Sequence, residues 1–252
     1  MKRALLLLCV LFLPLFGDAR VVRFMGNPDK HLKPFYNRSD VIMITSPGRS
    51  GSSLLFSVLD SYAPSYDILK THMFPPNPQF KGKILFVFCN PDKAAESALH
   101  KTLESNSWGS DHFHHVQSSN KKWLKKITTT SRQTVQYNLL AQDALGSTKQ
   151  LIAWLKETIP STPDQAQILA IKYENLWDIE TINAIQEFLR LDHFEIPPHK
   201  ERGYTLQELH PKERLFRQIY NIGTPESPIY SAYNDARSLW ESAPPLQYLN
   251  LR

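Results

Sequence analysis

Between residues 46 and 53 the chain reads Ser-Pro-Gly-Arg-Ser-Gly-Ser-Ser. These residue types bind anions. Gly51 lets a ligand approach the backbone, Arg49 supplies a fixed charge, and the hydroxyls of Ser50, Ser52 and Ser53 add donors. Some twenty residues on comes Lys70-Thr71-His72. A lysine and a histidine two apart mean little alone and read as a surface cation and a turn residue; their place soon after the anion loop is what draws attention to them.

Such residues need elements to hold them. Val41 to Ile44 is a short apolar run, expected as a buried parallel strand, and Leu54 to Leu59 has the periodicity of a helix. Strand, small-residue loop and helix form a phosphate site, because N–H groups at a helix start point at the anion and the dipole adds partial positive charge. Tyr66 to His72 is expected as a second strand, which turns Lys70 and His72 to one face. Lys83 to Phe88 and Gln167 to Lys172 are apolar enough for two more. Helical spacing marks 132–158, divided near Gly146-Ser147, then a helix capped by Asp178 with Ile182, Ile185, Phe188 and Leu189 on one face, and a further helix over 207–220. Strands alternating with helices predict an α/β protein, a parallel sheet covered on both faces.

The loop fits none of the commoner phosphate or nucleophile patterns. Gly-x-x-x-x-Gly-Lys-Ser/Thr fails because Ser53 follows Gly48 at the place of the second glycine. Gly-x-Gly-x-x-Gly lacks its third glycine, and Gly-x-Ser-x-Gly fails because Gly51 directly follows Ser50. The pattern Pro-x-Lys/Arg-Ser/Thr-Gly-Ser/Thr-Ser/Thr does fit, on Pro47, Arg49, Ser50, Gly51, Ser52 and Ser53. It resembles the loop of sulfotransferases that use 3′-phosphoadenosine 5′-phosphosulfate (PAPS), and its Arg form resembles the carbohydrate branch.

The resemblance implies that Pro47, Gly48, Arg49, Ser50, Gly51, Ser52 and Ser53 hold the 5′-phosphosulfate. It makes His72 the general base and puts Lys70 on the transferring group, as in that family's Lys-Thr-His. It also implies a hydroxyl acceptor, a small molecule or glycan, and a three-layer α/β/α domain of the P-loop nucleoside-triphosphatase type. Cys89 to Ser97 resembles the family's 3′-phosphate motif: Asn90, Pro91 and Ser97 match, and Ser97 would touch that phosphate. The first position departs, with Cys89 in place of an arginine; Lys93, Arg132 and Arg202 are candidate substitutes. Tyr173-Glu174-Asn175-Leu176 is close to the family's late Tyr-Glu-Asp-Leu, and Arg190 stands where its Phe-Leu-Gly-Leu helix has glycine. The likeness is strongest over 40–192.

Other signals bound this reading. Lys plus Arg is 29 against 24 Asp plus Glu, a mildly basic balance that suits an anionic ligand. No basic run with interleaved aromatics appears, so nucleic acid is not expected as a partner. Met1-Lys2-Arg3, an apolar run over Ala4–Phe16 and Gly17-Asp18-Ala19 have the form of a secretory signal, 1–19, followed by a lead-in over 20–39 and one domain over 40–252. The run is short for a span of about 20 residues, so membrane attachment follows only if the segment is not cleaved. The expected place is the secretory pathway: secreted or periplasmic in a bacterium, the Golgi lumen in a eukaryote. Cys9 would leave with the signal, and Cys89 alone makes no intramolecular disulfide. Asp111-His112-Phe113-His114-His115 matches no zinc spacing; no metal is expected, and the stretch suits an acceptor-binding loop. Two rivals stand beside the enzyme: a non-catalytic binding protein on the same fold, favoured by Cys89, and a kinase-like phosphotransferase, disfavoured by the missing Gly-Lys-Ser/Thr.

Overall fold

The apolar run at Val41–Thr45 is buried at every position and forms β1, the centre from which the sheet is built. The structure, a computed structural model, describes residues 32–104, 142, 143, 145–199, 211–219, 221, 222, 224 and 226–252. β1 is flanked by two parallel strands, β2 (Asp67–Thr71) and β3 (Lys83–Phe88), and β3 pairs in parallel with β5 (Ile168–Lys172). The register sets Thr45 beside Thr71, so Ser46 and His72 are the first residues beyond the sheet on neighbouring strands.

Side chains that alternate along these strands feed two cores. Met43, Leu69, Ile84, Phe86, Phe88 and Ile168 face one side. They pack against Ala94, Ala95, Ala98 and Leu99 of α2 (Pro91–Glu104), Leu151 and Trp154 of α3 (Ser147–Leu155), and Ala236 in a later helix. Ile42, Ile44, Leu85, Val87, Leu169 and Ile171 face the other. There they meet Leu55, Val58 and Leu59 of α1 (Ser52–Tyr62) and Ala184, Ile185, Phe188 and Leu189 of α4 (Ile179–Leu189). Helices on both faces of a mostly parallel sheet give the three-layer α/β/α arrangement expected from the sequence. Leu32, Phe35 and Tyr36, ahead of β1, also pack into the first core.

The tail is built of short elements with prolines at their starts: Pro211 begins α5 (Pro211–Ile219), Pro228 begins α6 (Pro228–Ala232), and Pro244-Pro245 directly precede β6 (Leu246–Asn250). The first helical position needs no N–H, so proline is tolerated there. Between them lies α7 (Asn234–Ser242). The expected helix over 207–220 is shorter, and 201–210 lie outside the described residues. Strand order is β2-β1-β3-β5-β6-β4, with β4 the two-residue Ile159–Pro160. β6 runs antiparallel to both β5 and β4, so the sheet is not parallel throughout. α3 starts at the glycine division foreseen, with Gly146 in a left-handed conformation, φ 65°. Arg190, which stands where the resembling helix has glycine, ends α4 in a left-handed conformation, φ 56°.

Candidate functional site

The carboxyl ends of β1, β2, β3 and β5 meet at one edge of the sheet, where open α/β sheets bind ligands. Each strand releases one component of the site. β1 leads into the loop, β2 into His72, β3 into Cys89 and Asn90, and β5 into Tyr173 and Glu174.

The loop is tightly turned. Gly48, Arg49 and Gly51 all have positive φ, at 102°, 56° and 84°. A side chain at Gly51 would run into the Tyr173 ring, so only glycine suits this position both in backbone angle and in space. Ser46, buried at the end of β1, organises the loop. Its hydroxyl donates to Ser52 Oγ at 3.0 Å and accepts the Gly48 N–H at 3.2 Å. Ser50 Oγ donates to the Gly48 carbonyl at 3.0 Å and contacts Cys89 Sγ at 3.2 Å. Ser50 and Ser52, expected to offer hydroxyls to a ligand, thus bond within the loop and are buried. The backbone can supply donors in their stead, because the first N–H groups of α1 have no carbonyl one turn back.

Lys70 on β2 and His72, which lies just past the strand's end and not within it as expected, both reach this loop. Lys70 Nζ donates to Ser53 Oγ at 2.6 Å, at the first turn of α1. His72 Nδ1 lies 2.9 Å from the Ser46 carbonyl and 3.4 Å from Ser46 Oγ. A carbonyl only accepts, so Nδ1 carries a ring proton, and in the neutral ring the lone pair sits on Nε2. That is the tautomer of a general base.

Arg49 reaches from the loop to α2. Its guanidinium donates to Ser97 Oγ through Nε at 3.0 Å and Nη2 at 2.9 Å. A residue expected at one phosphate and a residue expected at the other are therefore joined, across a gap of 48 positions in sequence. The charge lies on α2 beside Cys89. The Cys89 thiol is only 8% exposed, and burial pushes it up to about 12. It is a neutral group that brings no charge to the site. Of the candidate substitute cations, Lys93 is exposed on the first turn of α2, while Arg132 and Arg202 lie outside the described residues, as do the 1–19 segment and Asp111–His115.

The start of α2 is fastened from several sides. Asn90 Oδ1 accepts the N–H groups of Asp92 and Lys93 at 2.9 and 3.2 Å, a helix cap. Glu174 accepts the Asn90 N–H at 2.7 Å, and its other oxygen accepts Trp240 Nε1 at 3.4 Å. Arg237 of α7 forms a two-pronged pair with Asp92, 2.6 and 2.7 Å, and the two side chains are each 14% exposed. The tail thus braces Ser97 and Asn90. The sequence reading assigned no role to Ser46, Glu174 or Arg237; a serine immediately after a buried strand and the Tyr173-Glu174-Asn175-Leu176 match were the signals for the first two, and Arg237 left none.

No family model matches the chain, and no curated protein matches it. A solved structure, mouse sulfotransferase SULT7A1 complexed with PAP, is similar at 17% identity and a TM-score of 0.48, over 87% of this chain and 95% of that one. Likeness at that level says nothing of what this chain binds. Among the described residues no three His, Cys, Asp or Glu side chains are grouped to hold a metal, and no helix is long and apolar enough to cross a membrane.

Proposed function

We propose that the chain is a PAPS-dependent sulfotransferase that moves a sulfuryl group to a hydroxyl, a carbohydrate hydroxyl by the likeness of its loop. One observation carries the reading. The His72 imidazole has its Nδ1 proton directed at the Ser46 carbonyl, which in the neutral ring leaves the lone pair on Nε2, and Lys70 bonds Ser53 at the end of the same loop.

In this reading His72 Nε2 takes the acceptor's proton as the new O–S bond forms, and the Ser46 carbonyl steadies the imidazolium through Nδ1–H. Lys70 stabilises charge on the sulfuryl group and on the phosphate it leaves, which departs as adenosine 3′,5′-bisphosphate. The amides of Ser50, Gly51, Ser52 and Ser53 hold the 5′-phosphate. Arg49, braced on Ser97, supplies the positive charge for the 3′-phosphate that position 89 lacks. The secretory location expected of the amino-terminal segment belongs to the same proposal.

A non-catalytic binding protein is the second reading, favoured by the neutral thiol at Cys89. Label transfer from PAPS to a pool of neutral oligosaccharides separates the two. Calorimetry with adenosine 3′,5′-bisphosphate tests what they share: absence of binding removes both.

A further inference from the structure

Gln150 lies in α3 with no solvent exposure, beside the core residues Leu151 and Trp154. Its amide nitrogen donates to the backbone carbonyl of His72 at 2.6 Å, while Oε1 has no hydrogen-bond partner among the described residues. One turn later Trp154 Nε1 donates to the carbonyl of Met73 at 3.1 Å, which also accepts Thr45 Oγ1 at 3.2 Å. α3 therefore grips two consecutive carbonyls of the segment that leaves β2.

The helix is a firm point from which to grip. The Asp143 carboxylate accepts the N–H groups of Ser147 and Thr148 at 2.8 and 3.0 Å, and the Trp154 ring stacks on Phe86 at 5.1 Å. An amide buried with one end unsatisfied is a poor choice for packing alone, since an apolar side chain of the same length would fill the space without that penalty. The useful end is the one that reaches His72.

We propose that Gln150 is a positioning residue for His72. This rests on the reading of His72 as the base. The imidazole is held at two places: its Nδ1–H on the Ser46 carbonyl, and its own peptide carbonyl on Gln150. With the peptide fixed, the ring has one direction in which to present Nε2. Without the amide, the His72 carbonyl turns to find another donor, the ring leaves Ser46, and the lock on the tautomer is lost.

The test uses the full chain with ¹⁵N-labelled histidine. In the wild type, His72 should show the neutral Nδ1–H form; a proton on Nε2 overturns the proposal without any variant. Gln150→Met keeps length and removes the donor. It should bind adenosine 3′,5′-bisphosphate within about twofold of wild type, mix the two tautomers of His72 and shift its titration, and lower turnover of PAPS on the oligosaccharide pool by about tenfold to a hundredfold with little change in KM. Trp154→Phe removes the neighbouring bond and keeps the stack; it should lower the melting temperature while leaving the His72 resonances near wild type. Unchanged His72 resonances in a folded Gln150→Met overturn the positioning role, whatever the turnover. If the wild type shows no turnover but Gln150→Met still disturbs the Nδ1–H form, positioning stands and the sulfotransferase reading falls.

Discussion

Replacing Arg49 with alanine should loosen adenosine 3′,5′-bisphosphate much more than adenosine 5′-phosphate. The guanidinium donates to Ser97, the residue matched to the 3′-phosphate motif, at 3.0 and 2.9 Å. A hydrogen bond to a charged group contributes about 1.5–3 kcal/mol, a factor of about 10 to 150 in affinity. Arg49 is half-buried, so screening by solvent favours the lower end, about tenfold. The backbone provides an internal control. Arg49 has φ 56°, and a residue with a Cβ in that region costs about 1–2 kcal/mol relative to its ordinary conformation. Glycine relieves this strain, with part of the gain lost to the extra freedom of the unfolded chain. Arg49→Gly should therefore melt about 2–4 °C above Arg49→Ala, while both show the same weakened binding, because both lack the charge. Calorimetry with the two nucleotides, beside thermal melts, reads all of this. Equal losses for both nucleotides would return Arg49 to the 5′-phosphate, and no loss for either would remove it from the site.

His72→Ala should cut transfer by about 10²–10⁴-fold with nucleotide affinity nearly intact, and the wild-type rate should rise with pH as a single group loses its proton; wild-type rates in the variant would exclude His72 as the base. Gly51→Ala should destabilise the protein by about 2–4 kcal/mol from positive φ and contact with Tyr173 combined, and adding Tyr173→Ala should recover the packing part alone, as read by denaturant unfolding. For Cys89, the folded thiol is raised from an ordinary 9.0 to about 12, so the unfolded chain loses its proton first. Wild-type stability should fall as pH rises through that window, and the fall should be shallower in Cys89→Ser. Cys89→Arg should leave nucleotide affinity flat or lower, because a new guanidinium would start in the core beside Arg49; a tenfold gain would show that no cation serves that place.

The sequence made the central strands plain for a physical reason. Strands buried on both faces are continuous apolar runs, and β1 and β3 lie within a residue of where those runs are written. β6 escaped notice because only Leu249 is buried in it, and β4 because its two residues are exposed. The components of the site could be listed from local patterns: the loop, Lys70 and His72 on one strand face, Asn90 to Ser97 on the next helix. What spacing could not reveal was how they are wired. Arg49 to Ser97, Ser46 to His72 and Gln150 to His72 are contacts across 48, 26 and 78 positions, each set by how the helices lie on the sheet. Gln150 did leave a trace, as a polar residue one position before Leu151 and one turn before Trp154, on the face that is buried.

The place of β6 has a consequence in time. The strand lies inside the sheet, between β5 and β4, although it is made after all the others. Residues 41–172 can assemble β2, β1, β3 and β5, but the outer edge of β5 stays open until Leu246–Asn250 emerge to pair with it. At about 5–20 residues per second, the stretch from Lys172 to Leu246 takes the ribosome about 4–15 s. For that interval the nascent chain carries a bare strand of Ile-Leu-Ala-Ile-Lys, an edge that can pair with any other extended chain nearby. The brace that α7 places on Asp92 and Glu174 also waits for this stretch to be made. While it is being made, a chain of this design carries the side of β5 unpaired, and a chaperone on β5 or rapid closure by β6 shields it from aggregation.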